Sequence, residues 1–528
     1  MVSCRDPERH LHIRCGRAAG GRHRGGVGGQ AHGNLGWSLV SSKQRRRSRA
    51  AMIPNLIGSE WRPPADGTGS LPVYNPATGQ VIEQVPLSGS GDVDAAVRAA
   101  KAAFAGWSRT AVMDRVRLMF SFKSVLEDHV EELAAIITRH HGKTLDESRG
   151  EVRRGIEVVD FACGAPTLLQ GRTLRDVSAG VDQDLYRYPV GVCAGIPPFN
   201  FPVMIPLWMF PLAVVAGNTF ILKPSERTPL GSARLAELFL EAGFPGGVLN
   251  IVHGAREAVD ALLVHPDVQA ISFVGSAPVA RYIYQTAAAN GKRVQALGGA
   301  KNHIVVMPDA DPEVTVPAIL NSAFGNAGER CLSGSVAVAV GSAADRLLNP
   351  LRDAASKMVV GPGDQPGVQV GPLIRADHRD RVASYVDRGV SEGAQLLVDG
   401  RGEMSRPGFF LGPTILDRVT ADMAVGHEEI FGPVLSVARA ATLDEAIGRA
   451  NRMALGNMAT IFTQSGRSAR EFRERVEAGM TGINVPIAQP FAFFPFSGWK
   501  GSFYGDLHVH GTDGIEFYTR KKVVVTRW

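Results

Sequence analysis

The chain has 528 residues, 45% apolar and 20% charged; this is ordinary globular composition and excludes collagen-like, coiled-coil and wholly disordered chains. Five cysteines with no CxxC pair exclude a disulfide scaffold and a structural zinc site, and no metal site is expected. The formal charge of +6 is unevenly spread: residues 1–51 carry eleven Lys and Arg against two acids, so the remainder, with 46 basic and 49 acidic residues, is mildly acidic and offers no basic face to nucleic acid.

Residues 1–51 are rich in Gly and Arg and poor in large apolar side chains, so they cannot offset the entropy of ordering and are expected to be disordered. Three explanations fit them: an Arg-rich organelle presequence, a basic arm centred on Arg45, Arg46 and Arg47, or an over-called start with Met52 opening the protein. A presequence would direct the protein to the mitochondrial matrix; without one, in a bacterium, it would be cytoplasmic.

From Asp92 the run DVDAAVRAAKAAF places Val93, Val97, Ala100 and Phe104 on one face, which predicts an amphipathic helix. A second helix is expected over 112–140, and a third from about Asp146 carrying Arg149, Arg153 and Arg154. Residues 171–190 read as a hairpin or extended arm. Residues 188–222 carry no charge and would pass for a membrane span, but Pro189, Pro197, Pro198, Pro202, Pro206 and Pro211 break any such helix. They read instead as strand, short helix and strand, so no membrane partner is expected. Strands at 190–196, 219–223, 248–252, 270–275 and 293–297 alternate with helices at about 202–217, 229–243, 255–265 and 277–290, the pattern of a doubly wound parallel sheet. A second α/β region follows from about 300 to 490, with strands at His303–Met307 and Val336–Val340. KKVVVTR at 521–527 reads as a terminal strand that completes a sheet elsewhere.

In open α/β sheets, ligands gather beyond the carboxyl ends of strands. Asn200 follows the first strand of this region, Lys223, Glu226 and Arg227 follow the second, and Gly275 and Ser276 follow the fourth at a helix start suited to a phosphate. No GxGxxG follows any strand. Each residue alone is more often structural; their occurrence at successive strand ends is what points to a ligand. In FGNAGERCLSG, Cys331 lies beside Arg330, whose charge would help hold a thiolate. By itself Cys331 reads more readily as a buried apolar cysteine, and Cys163 and Cys193 read as that outright. His303 is the nearest histidine, and nothing around it suggests a protease dyad.

Five motifs carry a resemblance: PFNFP at 198–202, KPSE at 223–226, FVGS at 273–276, GERC at 328–331 and EEIFGP at 428–433. In this order and spacing they resemble the aldehyde dehydrogenase superfamily over nearly all of 52–528. GAKNH at 299–303, GINVP at 482–486 and FPFSGWKGSF at 494–503 are most similar to its CoA-acylating, methylmalonate-semialdehyde branch. The resemblance implies an α/β fold with a Rossmann-type cofactor domain (52–167 and 190–298), an α/β catalytic domain (299–495) and a β-rich oligomerisation arm (168–189 and 496–528). A homodimer or homotetramer is implied with it. It further implies that Cys331 is the nucleophile and that Asn200 supplies an oxyanion donor with the Cys331 amide. For NAD it implies Lys223 and Glu226 at the adenosine ribose with Arg227 beside them, and Ser276 at the pyrophosphate. Pro197 and Phe199 would line the cofactor path, Glu429 and Phe431 would meet the nicotinamide ribose, and Gly298 would contribute backbone contact.

Hydrolytic members of the superfamily place a general-base glutamate before Leu-Gly-Gly; here Ala296 stands there, in QALGG. Water attack on a thioacyl enzyme then lacks its base, and a CoA thiol is the expected acceptor. Glu429 and Glu329 are the alternative bases. A semialdehyde with a distal carboxylate needs guanidinium partners: Arg330 adjoins the nucleophile, and Arg154 lies where the branch places its second arginine, Arg153 facing elsewhere. The expected reaction is oxidation of malonate or methylmalonate semialdehyde to acetyl-CoA or propionyl-CoA with loss of carbon dioxide. The rivals are a hydrolytic aldehyde dehydrogenase and a non-catalytic protein on the same fold; the latter is marked by loss of Cys331 or Asn200, and both are present.

Overall fold

Strands buried on both faces read as unbroken apolar runs, and Val192–Ile196, Thr219–Leu222 and Leu249–Ile251 are buried at every position. The computed structural model describes residues 51–65 and 68–528; the readings of residues 1–50 lie outside them. These three strands join Val268–Val274 and Arg293–Leu297 in the parallel centre of an eight-stranded sheet. Two short strands, Asn55–Ile57 and Glu60–Arg62, close one edge, and Phe503–Tyr504 closes the other. Chain order reverses at Val192–Ile196: the next two strands extend to one side of it, and Val268–Val274 and Arg293–Leu297 lie on the other. Such a reversal opens a crevice at the carboxyl ends of the flanking strands. Asn200 and Ser276 follow those two strands.

A second sheet has the order Gln395–Val398, Thr414–Asp417, Val434–Ala440, Val336–Val340, His303–Val306, Met458–Phe462 and Met480–Ile483. All of it is parallel except the Gln395–Val398 edge. Cys331 precedes the Val336–Val340 strand, so its loop enters at that strand's amino end. Arg172–Ser178, Val181–Pro189 and Thr519–Arg527 form a separate three-stranded antiparallel sheet. The terminal strand thus completes a sheet with the 171–190 hairpin.

Two sequence expectations change. The helix expected over 112–140 is two, Val112–Asp128 and Val130–His141. His129 leaves helical geometry at φ −111°, ψ 16°, and its Nδ1 meets the Val125 carbonyl at 2.7 Å. Of residues 496–528, grouped with the arm from sequence, only Thr519–Arg527 enters the arm's sheet. Phe503–Tyr504 pairs with Arg293–Leu297, and Ile515, Phe517 and Tyr518 are buried in the first lobe's core. Their side chains are apolar on the face toward that lobe, and this decides where they pack.

The uncharged stretch resolves as expected into a helix, Met204–Val215, buried at all twelve positions. Twelve residues span only about 18 Å, and among the described residues no helix is long and apolar enough to cross a membrane. This helix packs on Leu145–Cys163, which starts at a capping box of Thr144 and Glu147. The two helices approach closely at Gly155, where a Cβ would stand 2.6 Å from Leu207 Cδ1 and 3.3 Å from Met204 Cα. Gly155→Ala gains about 1 kcal/mol of helix propensity but overpacks a fully buried contact at a cost of about 1–3 kcal/mol. The net effect is destabilisation, read as a lowered midpoint in thermal or urea unfolding; a raised midpoint would show that the helices can part freely.

Candidate active site

Asn200 is buried after the Val192–Ile196 strand, and its Nδ2 donates to the Glu329 carbonyl at 2.9 Å. Its own carbonyl accepts from Lys143 Nζ at 2.5 Å. Lys143 also pairs with Glu151 at 2.8 Å, both side chains being fully shielded from solvent. Burial lowers the Lys143 pKa, and the adjoining Glu151 carboxylate opposes that shift.

The nucleophile loop turns through left-handed backbone at Asn326 (φ 56°) and Ala327 (φ 51°). Gly328 follows at φ +71°, where a Cβ would stand 2.2 Å from the Gly432 carbonyl, so the loop lies directly on the EEIFGP segment. Asn326 Nδ2 donates to the same Glu329 carbonyl at 2.7 Å. The Cys331 carbonyl accepts from Asn302 at 2.8 Å and Asn457 at 3.1 Å. Asn302 lies in GAKNH without an assigned role, and Asn457 carries no sequence signal at all.

Cys331 is half-buried and lines a cavity of about 290 Å³. Arg154 and Arg330 line the same cavity, with Glu147 and apolar walls from Trp208 and Leu332. Arg154 stacks on Phe491 at 4.5 Å and pairs with Glu157 at 2.9 Å. Arg330 stands 4.0 Å from Glu147. Arg153 is exposed, on a different face from Arg154. Arg330 favours the thiolate, as expected, but burial, reinforced by the Glu429 charge, outweighs it and pushes the thiol up to about 12. Cys331 therefore rests as a thiol. Cys163 and Cys193 are buried and free, as expected, with thiols raised by burial.

The remaining residues line the crevice of the first sheet. Lys223 Nζ donates to the Gly254 carbonyl at 2.8 Å and reaches Glu226 at 3.5 Å. Burial raises the Glu226 carboxyl, but the Lys223 charge and hydrogen bonds outweigh it and hold the pKa below the ordinary value. Arg227 lies over the Phe199 ring at 5.1 Å. Thr228 Oγ1 ties this turn to the Phe199 carbonyl at 2.8 Å. Pro197 is buried and Phe199 half-buried, the latter packed against Phe431 at 5.9 Å. Ser276 starts the Ala277–Ala289 helix without spending its hydroxyl on a cap, so the hydroxyl and first-turn amides are available to an anion. Gly298 is less available than expected: its amide donates to the Ser502 carbonyl at 2.8 Å. Gly299 is the residue against Glu429, where a Cβ would stand 2.3 Å from Oε2. Glu429 accepts from the Ala300 amide at 2.8 Å, and burial raises its carboxyl to about 6. A strand-end cation paired to a carboxylate, a free helix start and a close-approach glycine fit a dinucleotide.

Neither alternative base lines the cavity. Glu329 is enclosed by His378 at 3.3 Å, His141 at 3.7 Å and the Ile374 amide at 3.2 Å, and burial raises its carboxyl to about 8. Ala296 is fully buried in its strand. The histidines His141 and His378 have no motif that marks them and were missed in the sequence.

Residues 61–524 match the aldehyde dehydrogenase family. The chain is 56% identical over 479 residues to a malonate-semialdehyde dehydrogenase of Geobacillus kaustophilus, covering 90% of this chain and 99% of that one. It is 53% identical over 477 residues to a malonate-semialdehyde dehydrogenase of Halalkalibacterium halodurans, covering 90% and 98%. Its structure is similar to a methylmalonate-semialdehyde dehydrogenase of Oceanimonas doudoroffii, with TM-score 0.89, 48% identity, and 90% and 98% of the two chains covered. A protein of Sinorhizobium meliloti assigned to the same activity and solved with NAD gives TM-score 0.90 at 45% identity, over 91% and 99%.

A thiol near 12 reacts only through its scarce thiolate. Alkylation of the ligand-free enzyme at Cys331 by iodoacetamide should therefore accelerate about tenfold per pH unit between pH 6 and 9. A plateau below pH 8, with the adduct on Cys331 by peptide mass spectrometry, would show a thiolate already formed at rest.

Proposed function

The chain belongs to the aldehyde dehydrogenase family, and from that membership we propose that it oxidises malonate or methylmalonate semialdehyde with NAD and passes the acyl group to CoA. The products are acetyl-CoA or propionyl-CoA, carbon dioxide and NADH. One observation carries the reading: two arginines share a cavity with Cys331, Ala296 offers no carboxylate to activate water, and the cavity's own carboxylates are engaged elsewhere, Glu147 by Thr144 and the Asn326 amide and Glu151 by Lys143 and the Val203 and Met204 amides.

Arg154 and Arg330 hold the distal carboxylate in guanidinium pairs, which orients the aldehyde carbon toward Cys331. The Cys331 sulfur adds to that carbon once its proton has left, forming a thiohemiacetal. Asn200 Nδ2, aimed at the nucleophile loop, and the Cys331 amide stabilise the oxyanion; one such donor contributes about 3–4 kcal/mol. NAD, when bound, supplies the hydride acceptor. Lys223, Glu226 and Arg227 hold its adenosine side, Ser276 its pyrophosphate and Glu429 its nicotinamide ribose, with Pro197, Phe199, Phe431 and Gly298 along its path. The Cys331 thioester then awaits the CoA thiol. Loss of the distal carboxylate as carbon dioxide leaves the shortened acyl group.

The division of the chain into cofactor, catalytic and arm segments is part of the same reading. Leu174, Tyr186, Val523 and Val525 expose apolar surface on the three-stranded arm, and a homodimer or homotetramer that covers it completes the proposal. The bacterial relatives support a cytoplasmic location as part of the same proposal.

Without CoA, a rapid NADH burst should give way to a slow steady state, since general-base help to water is worth about 10²–10⁴-fold. Mass spectrometry should then find the acyl group on Cys331, and CoA should restore turnover and yield an acyl-CoA. Fast free-acid production without CoA would establish the hydrolytic alternative. Arg154→Leu or Arg330→Leu should lower kcat/KM for carboxylated semialdehydes by about 30- to 5,000-fold, since removing one partner of a desolvated charge pair costs about 2–5 kcal/mol. Propanal should suffer much less; equal losses would assign the arginines to the fold or the nucleophile.

A further inference from the structure

Three acidic and basic side chains around the start of the Leu145–Cys163 helix, Lys143, Glu147 and Glu151, are buried or half-buried and take no part in the chemistry above. We propose that they form a bracket that positions Asn200 against the Cys331 loop, and so set the oxyanion geometry of acylation. The inference rests on Asn200 and Cys331 having the roles assigned above.

The bracket grips both loops. Lys143 Nζ donates to the Asn200 carbonyl, and its partner Glu151 accepts through Oε1 from the Val203 amide at 2.8 Å and the Met204 amide at 3.1 Å. One ion pair therefore fixes the turn that carries Asn200 by a carbonyl at its start and two amides at its end. The Phe201 ring within that turn lies 4.0 Å from Lys143 Nζ. On the other side, Glu147 Oε1 accepts from the Asn326 amide at 2.6 Å, while its Oε2 accepts from Thr144 N at 2.9 Å and Thr144 Oγ1 at 3.0 Å. Asn326 and Asn200 both donate to the Glu329 carbonyl, two residues before the nucleophile. The bracket is itself tied to the second lobe, where the Leu145 amide donates to the Gly363 carbonyl at 2.9 Å.

A buried ion pair is a poor source of net stability, because dehydrating two charges offsets their attraction. What Lys143 and Glu151 supply is direction: three hydrogen bonds to one turn. A displacement of about 1 Å at a reacting group costs on the order of 10²-fold in rate, so the expected signature is kinetic. Lys143 also borders the cavity, and the alternative is that it binds the substrate carboxylate directly. Its ammonium is already committed to Glu151 and the Asn200 carbonyl, which favours positioning.

The test is a double-variant cycle on single-turnover acylation, read as the NADH burst without CoA, using a carboxylated semialdehyde and propanal in parallel. Asn200→Ala should slow the burst by about 10²–10³-fold. Lys143→Met should slow it by about 10–100-fold, equally for both aldehydes. Added to Asn200→Ala, Lys143→Met should cost less than about threefold more, because the donor it aims is gone. Lys143→Arg should recover part of the rate. Should Lys143→Met fail to fold, Glu151→Gln, which keeps an acceptor for the Val203 and Met204 amides but removes the charge on Lys143's partner, is read in the same cycle and should show the same non-additivity. Multiplicative losses in the double variant overturn the bracket while leaving Asn200 in place. A loss confined to the carboxylated substrate assigns Lys143 to substrate binding instead. An undiminished burst in Asn200→Ala overturns the Asn200 role and the bracket together.

Discussion

The Glu329 carbonyl is one point at which the two lobes are tied together. Asn200 reaches it from the first sheet and Asn326 from within the nucleophile loop. A carbonyl has two lone pairs, and here both are used by side-chain amides. The arrangement places the proposed oxyanion donor two residues from Cys331 without touching the sulfur. The next carbonyl but one, that of Cys331, is likewise held by two amides, Asn302 and Asn457. Cys331 is therefore positioned through its backbone. The strained left-handed pair Asn326 and Ala327 persists because these bonds over-determine the loop.

The ionisable groups around Cys331 are of two kinds. Near it in the chain, Glu329 packs against His141, both fully buried, and against the half-buried His378. Burial lowers both histidines and raises the carboxyl to about 8, so at neutral pH the group is predominantly uncharged. An uncharged cluster adds no repulsion to a forming thiolate. The cavity's charges occur as opposed pairs, Lys143 with Glu151 and Arg154 with Glu157, and Arg330 stands near Glu147. Under the proposed function, a substrate carboxylate would have to rival the carboxylate that stands near each arginine. In the proposed reaction, the methyl of Ala296 in place of a base is the physical reason for acyl transfer over hydrolysis.

The two sheets use their ends differently. In the first, ligand groups stand at carboxyl ends beside the reversal of strand order, the usual location in open α/β sheets. In the second, the nucleophile loop enters at an amino end, so it is held by side-chain amides and by contact with the EEIFGP segment at Gly328. The cofactor crevice is thus a consequence of topology, whereas the nucleophile's placement is a consequence of specific hydrogen bonds.

By itself the sequence determined the alternation of strands and helices, the burial of the proline-rich helix at 204–215, and the strand-end positions of Asn200, Lys223 and Ser276. These follow from local periodicity and from the backbone preferences of Pro and Gly, which act over a few residues. Its motifs also marked Cys331, Arg330 and Arg154. Tertiary structure alone decided that Cys331 rests as a thiol, because burial and the Glu429 charge outweigh the sequence-adjacent Arg330. It alone brought Asn457 to the Cys331 carbonyl across 126 positions and Glu151 to the Val203 amide across 52. It also assigned residues 503–518 to the first lobe. A hydrogen bond to a backbone carbonyl requires only an amide at the right point in space, and no local pattern of residue types records which distant carbonyl that will be.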